Sequence, residues 1–510
     1  MFCVLLLLYN CVTVRKSIAQ TSKIIYKYSL DLNELKDDQL SISLKINGLK
    51  MDTIQFCFAK IIPGIYSFAN YGNSVSKIQF LDANGKSLNF KKLDENRWEI
   101  YGAKKLNKIN YSVNDNWESL ENGFNGRYFM TESSFDPNVF VLNHNTIFGY
   151  FRGLEKHPYQ IVVSKPKQLY GATSLASTVK PNKIVFTSES YNQLIDNPIL
   201  FSKPDTAFID LPQIKIQVAC FSTSGKPLAK ELATFIEPLL INQAKYLNGN
   251  LPVNKYSFII YHNDKKDTRR MSSQGLEHAN STLILLNGSF NVDAFKNVIY
   301  GTASHEFFHI LMPLGIHSDE IANYDFNNPK FSKHLWLYEG MTEYFTIHMP
   351  VVTKLQSLKD FLSTLESKIK ESKKYKADLS FVDLSLNSMT MEDQYLNVYQ
   401  KGSLINLCLD IRLRELSAGK FGVQDLVASL LKKYGPKKSF RDEKLFDEIV
   451  EITGYPQIRD FFKLYVEQSN KLPLEESLNK VGLKLIDEQI TELPELTYQQ
   501  KNLRKAWIGQ

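Results

Sequence analysis

Thr302-Ala303-Ser304-His305-Glu306-Phe307-Phe308-His309 is the stretch from which the fold of this 510-residue chain is read. A helix turns once every 3.6 residues, so positions four apart share a face, and His305 and His309 can ligate one metal ion. Glu306, one residue beyond the first histidine, can hold a metal-bound water without being a ligand itself. Two neutral imidazoles are a common zinc pair, but a catalytic zinc needs a third protein ligand and one open position. Glu339, in Leu335-Trp336-Leu337-Tyr338-Glu339-Gly340, is the candidate third ligand, giving one Zn2+ per chain.

The competing reading is an amphipathic helix whose histidines fall four apart by chance, because five-residue patterns recur at random. Three features count against it. The motif lies on an apolar helical stretch that follows strands, a second Glu-bearing helix comes after it, and together they complete a ligand set. Zinc would lower the pKa of its bound water to about 7. Glu306 would take that proton and return it to a leaving amine. An exposed helix carboxylate is the plain alternative for Glu306, but the position between two ligands argues against it. Glu339 and Glu343, four apart, share a helix face, so Glu343 can accept a hydrogen bond from a ligand histidine and fix its tautomer. A solvated carboxylate is an equal alternative there.

Working outward, residues 22–205 show short runs with period-two alternation between turn residues. Gln39 to Ile46 is followed by Asn47-Gly48; Lys77 to Leu81 is followed by Asp82-Ala83-Asn84-Gly85. Such spacing predicts an all-β module. Near Pro204 to Pro212 the texture changes. Strands over 214–221, 256–261 and 281–286 then alternate with helices over 227–247 and 293–311, which indicates an α/β lobe. Beyond Glu339 apolar residues recur at helical spacing over 335–348, 355–374, 402–416, 423–434, 444–452 and 457–472. The predicted architecture is α+β and multidomain. A β-sandwich-like domain over 20–205 precedes a catalytic domain over 206–485, with an α/β lobe to about 312 and a helical lobe after it. Residues 486–510 read as a short, polar, peripheral tail. An α/β lobe and a helical lobe with the metal helix at their junction is similar to the thermolysin-like architecture.

Composition is that of an ordinary globular protein, 43% hydrophobic and 23% charged. The net charge of +7 is spread along the chain, with no Arg-rich helix or basic-aromatic stripe, so no nucleic-acid partner is indicated. Phe2 to Tyr9 is apolar but shorter than the ~20 residues of a spanning helix. It reads as the core of a signal peptide over 1–19, with Ser17-Ile18-Ala19 as the cleavage site, and an exported protein, periplasmic or extracellular, is expected. Lipidation at Cys11 is the alternative. Cys57, Cys220 and Cys408 remain, far apart and each in an apolar context, and read as buried small hydrophobes.

The motif His305-Glu306-Phe307-Phe308-His309, then Trp336-Leu337-Tyr338-Glu339-Gly340-Met341-Thr342-Glu343-Tyr344, then Tyr399-Gln400-Lys401-Gly402, resembles the glycyl aminopeptidase family of gluzincins (peptidase family sixty-one). The 29 residues from 310 to 338 match that family's spacing. The stretches Pro313 to Ser318 and Phe331 to His334 resemble its Bacteroidota branch. The resemblance implies zinc, hydrolysis of peptides from the N-terminus with preference for Gly or Ala, and a β-rich domain ahead of the catalytic one. It also assigns roles. Tyr399 aligns with a tyrosine that hydrogen-bonds the oxyanion, Tyr395 being a weaker rival. A neutral phenol suits that task. Gly275-Leu276-Glu277-His278 resembles an element whose glutamate binds the substrate's α-amine and whose edge backbone pairs with an extended peptide, so Gly275 and Glu277 are expected to bind substrate. Many members carry a C-terminal PDZ domain; some 25 residues follow Leu485 here.

Peptides are the expected partners, with no membrane span in the mature chain, and the oligomeric state is open. His317 and His334 are candidates to line the pocket, while His144, His157, His262 and His348 read as structural or surface residues. An endopeptidase on the same scaffold, in which Glu277 selects no free terminus, is the enzymatic alternative. A non-catalytic peptide-binding protein is the other.

Overall fold

In the computed structural model, residues 24–117, 129–265 and 274–509 are described; the expected leader, Cys11 included, lies outside them. The N-terminal region is built on a seven-stranded sheet. Its middle strand Tyr26–Asp31 runs antiparallel to Gln39–Lys45 and parallel to Tyr159–Ser164. Side chains alternate as the pleat requires: Tyr26, Tyr28 and Leu30 are buried while Lys27 and Ser29 are exposed. Two four-stranded sheets complete the region, one around Thr53–Cys57 and Arg97–Tyr101, the other around Val139–Leu142 and Ile199–Ser202.

Thr206–Asp210 opens a five-stranded sheet ordered 206–210, 215–222, 255–263, 281–287, 274–278. Its three central strands are parallel and its two edges antiparallel. The two faces of this sheet belong to different cores. Ile259, Leu283, Leu285 and Leu276 join the apolar cluster of the N-terminal region, whereas Phe258, Ile260, Ile284 and Leu286 join that of the helices. Strand alternation thus welds the β-rich region to one side of the catalytic sheet and leaves the other side to helix Ala229–Tyr246 and the metal-motif helix. The α+β organisation, β-rich first and helical last, is the one expected.

The tail differs from expectation. Strand Gln489–Glu492 pairs with Leu483–Ile486, and helix Tyr498–Ile508 packs Trp507, only 1% exposed, into the helical lobe. Trp507 Nε1 donates to the Tyr344 hydroxyl at 2.9 Å, and its ring stacks on His348. Helix Tyr498–Ile508 buries only Arg504, Trp507 and Ile508, too sparse a set to announce itself by periodicity. Cys57, Cys220 and Cys408 are free and buried, as read from their apolar flanks. Among the described residues no helix is long and apolar enough to cross a membrane.

Candidate active site

The metal-motif helix is not one uniform helix over 293–311. Asn291 caps segment Val292–Val298, accepting from the Ala294 amide at 3.0 Å; a π-helical turn follows over Ile299–Ala303, then an α turn over Ser304–Phe308. The second ligand segment repeats the pattern, with a π turn over Trp336–Met341 running into helix Thr342–Val352. A π turn frees carbonyls from the ordinary ladder and recurs at functional sites. Two of those carbonyls find side-chain donors: Asn406 Nδ2 donates to Trp336 O at 2.7 Å and Thr342 Oγ1 to Tyr338 O at 2.7 Å. Glu339 therefore sits in a wide turn held by polar contacts on both sides.

These two segments bring His305, His309 and Glu339 together, with one donor atom from each within 4.8 Å of the others. Both ring orientations are fixed from behind. His309 Nδ1 donates to Met312 O at 2.9 Å, and His305 Nδ1 to Glu343 Oε2 at 2.9 Å, so both Nε2 atoms turn toward Glu339. Glu339 Oε2 stands 3.4 Å from His305 Nε2 and 3.6 Å from His309 Nε2. Tetrahedral ligands at ~2.0–2.1 Å from zinc lie about 3.4 Å apart, so this donor set fits zinc with little movement. The other Glu343 oxygen meets Lys368 Nζ at 2.5 Å.

The electrostatics follow from this packing. Burial alone would lower the His305 pKa, but hydrogen bonds to Glu339 and Glu343 outweigh it and hold the imidazolium well above its usual range. Burial works against the charge on Glu339 as well, yet His309 and His305 bring its pKa below normal. Against burial, Lys368 and His305 pull Glu343 down to about 2. Glu306 goes the other way: burial, with Glu277 and Glu339 nearby, overcomes His305 and pushes it up to about 8. A carboxyl group in that range can both take and return a proton near neutrality.

Glu277 and Gly275 lie on edge strand Gln274–His278, two residues apart and hence on one face. A Glu277 oxygen comes within 4.8 Å of a Glu306 oxygen and a His309 nitrogen. Burial raises the Glu277 pKa, and the charges acting most strongly on it are His309, Glu339 and His278, none of them lysine or arginine. Gly275 allows the strand to approach, since a Cβ there would stand 2.8 Å from Glu306 Cγ and 2.7 Å from Thr302 Cγ2. The strand is paired on one side only, with Ser281–Asn287.

Tyr399 arrives from helix Asn397–Leu416, which starts five residues earlier than periodicity indicated. Its ring lies 5.6 Å from that of His305, and its hydroxyl 3.4 Å from the Tyr395 hydroxyl. Burial raises both phenol pKa values, so both remain neutral donors. His317 and His334, candidates for the pocket wall, are used elsewhere. His334 bonds Asp442 O through Nε2 at 2.8 Å and accepts from Trp336 Nε1 at 3.0 Å, while His317 turns to the backbone of Pro313 and Leu314. Lys368, Asn406 and Tyr66 are site residues that pattern reading missed; each comes from a distant segment and carries no local motif.

Several solved structures share this fold. An aminopeptidase N family protein from Idiomarina loihiensis is 20% identical, with a TM-score of 0.76 over 93% of this chain and 82% of that one. An M1 zinc metallopeptidase from Deinococcus radiodurans is 11% identical, with a TM-score of 0.54 over 89% and 95%. Leukotriene A4 hydrolase from Saccharomyces cerevisiae is 13% identical, with a TM-score of 0.53 over 90% and 70%. At such identities the likeness is one of fold, and it defines the thermolysin-like class in which a β-rich domain precedes the catalytic lobes. No curated protein matches the chain. Two family descriptions do: Peptidase M61 N-terminal domain over residues 27–203, and M61 glycyl aminopeptidase over residues 298–405. The chain belongs to the M61 glycyl aminopeptidase family, a family of metallopeptidases.

Proposed function

We propose that the protein is a zinc aminopeptidase, with one zinc per chain, that removes the first residue of peptides and prefers Gly or Ala. The observation that carries this reading is the placement of Glu277. A carboxylate oxygen within 4.8 Å of His309 and Glu306, not governed by a lysine or arginine, is suited to an incoming ammonium group. The amine nitrogen and carbonyl carbon of one residue are only about 2.5 Å apart. Anchoring the amine on Glu277 thus brings the first peptide bond, rather than an internal one, to the ligand triad.

His305, His309 and Glu339 would hold the metal, which when bound supplies Lewis acidity to the carbonyl and to a water molecule. Glu306 takes the proton from the attacking water and hands it to the departing amine; its elevated pKa suits both halves of that task. Tyr399 donates its hydroxyl proton to the oxygen on which negative charge develops. Glu343 keeps Nδ1 of His305 engaged, leaving Nε2 for the metal. The open edge at Gln274–His278 offers backbone groups to an extended substrate. An exported setting, read from the N-terminal stretch, belongs to the same proposal.

The test is hydrolysis of Gly-, Ala- and Leu-p-nitroanilide beside an N-acetylated internal peptide, with and without a chelator. Glu306→Gln serves as the control, expected to keep zinc and lose about 10²–10⁴-fold in rate. Chelator-sensitive release only from free-amine substrates is the expected result. Cleavage of the blocked peptide would move the protein to the endopeptidases and remove the role of Glu277.

A further inference from the structure

The β-rich region does more than cover the catalytic sheet, because one of its loops enters the site. Lys60 and Ile61 donate their amides to Phe326 O, which ties the start of this loop to the catalytic domain. Beyond them Gly64, at φ +87°, presses against Glu277: a methyl group on Gly64 would stand 2.7 Å from Glu277 Oε1. Tyr66 follows, its ring 4.8 Å from that of Tyr395 and 6.1 Å from that of Phe331. It packs with the apolar cluster of the helices rather than with that of its own region.

Between these groups lies a cavity walled by Gly64, Tyr66, Glu277, Phe331, Leu335 and Glu339, with a volume of about 40 Å³. One water's share of liquid is about 30 Å³, so the space admits little more than a methyl group. Any residue whose amine meets Glu277 while its carbonyl faces Glu339 has its Cα between them, and its side chain must enter this space.

We infer that Tyr66 of the N-terminal domain, together with Phe331, sets the upper size limit on the first residue of the substrate. This rests on the aminopeptidase reading and adds to it the groups that enforce selectivity. Glycine and alanine fit the cavity as it stands, while a leucine side chain would have to displace an aromatic ring.

The test compares kcat/KM for Gly- and Leu-p-nitroanilide in the wild type, Tyr66→Ala, Phe331→Ala and Tyr66→Phe. Zinc content and thermal unfolding are followed alongside. Removing either ring should raise the Leu/Gly ratio at least about tenfold, the discrimination a few methylenes command in an apolar pocket. Tyr66→Phe keeps the ring and should leave the ratio within about threefold of wild type. A merely structural role would lower both rates together; an unchanged ratio in the folded, zinc-loaded alanine variants overturns the inference. Should Tyr66→Ala fail to fold, Phe331→Ala decides. An active wild type with an unmoved ratio removes this inference alone, whereas a wild type inert on every free-amine substrate removes the aminopeptidase reading with it.

Discussion

Gly340 and Gly402 meet backbone to backbone where the two helical segments of the site cross: a methyl on Gly402 would stand 2.8 Å from the Gly340 Cα. One residue before Gly340 is Glu339, and three before Gly402 is Tyr399. The metal ligand and the oxyanion donor are thereby referenced to a single contact that no larger residue could make.

Gly402→Ala should therefore separate the segments rather than fill a void. Overpacking of this kind costs about 1–3 kcal/mol. Thermal unfolding of the variant should shift down, and zinc affinity and turnover should fall with it. An unshifted transition with full activity would show that the crossing does not set the geometry.

Tyr399→Phe keeps the ring against His305 and removes only the hydroxyl. Loss of one oxyanion donor lowers kcat about 10²–10³-fold. KM and zinc content should change little. Tyr395→Phe should cost far less, since its hydroxyl meets that of Tyr399 at 3.4 Å. Steady-state kinetics on Gly-p-nitroanilide with both variants will distinguish them, and equal losses would reassign the donor.

Lys368 holds one oxygen of Glu343 while the other accepts from His305, and the two side chains are 14% and 16% exposed. Without the lysine the carboxylate can rotate and release the imidazole. Partners behind a metal ligand are worth about 10–100-fold in affinity, and Lys368 acts one bond further out, so Lys368→Met should weaken zinc about tenfold. Competition against a fluorescent chelator measures this directly, and an unchanged Kd would confine Lys368 to a surface role.

Acid should destabilise the fold well before carboxylates titrate. Burial holds His144 and His334 down at about 4 and His348 at about 3, against 6.5 in the unfolded chain. As pH falls below 6.5 the unfolded chain takes up protons that the folded one refuses, so stability declines until those lower values are reached. Each histidine contributes up to about 1.4 kcal/mol per pH unit. Glu306, held high, acts in the opposite sense, but it is present in wild type and variant alike. Thermal unfolding between pH 6.5 and 4.5 should show a shallower decline for His348→Phe than for the wild type; parallel slopes would mean that His348 takes a proton while buried.

The organisation of the chain was legible because two periodicities marked it, alternation around residues 39–46 and helical spacing after 339. The ligand triad was legible because His305 and His309 lie four apart on one helix. Other contacts had no local signal. Lys368 is 25 residues from Glu343, and Asn406 is 70 from Trp336. Trp507 reads as one aromatic in a polar tail until its contacts with Tyr344 and His348 are seen. The π turns left no mark either, since Ile299–Ala303 and Trp336–Met341 use residues any α-helix accepts.

Those two wide turns also determine which changes the site can survive. Each accommodates one residue more than an α turn would, so deleting a residue within either would let it relax to ordinary helix. The surplus residue would be lost, and everything on one side would rotate by about 100° relative to the other. For His305 and His309, or for Glu339, that rotation turns a ligand away from the cleft. Side chains around the site can be exchanged one by one with graded loss, but the length of these segments admits no such gradation.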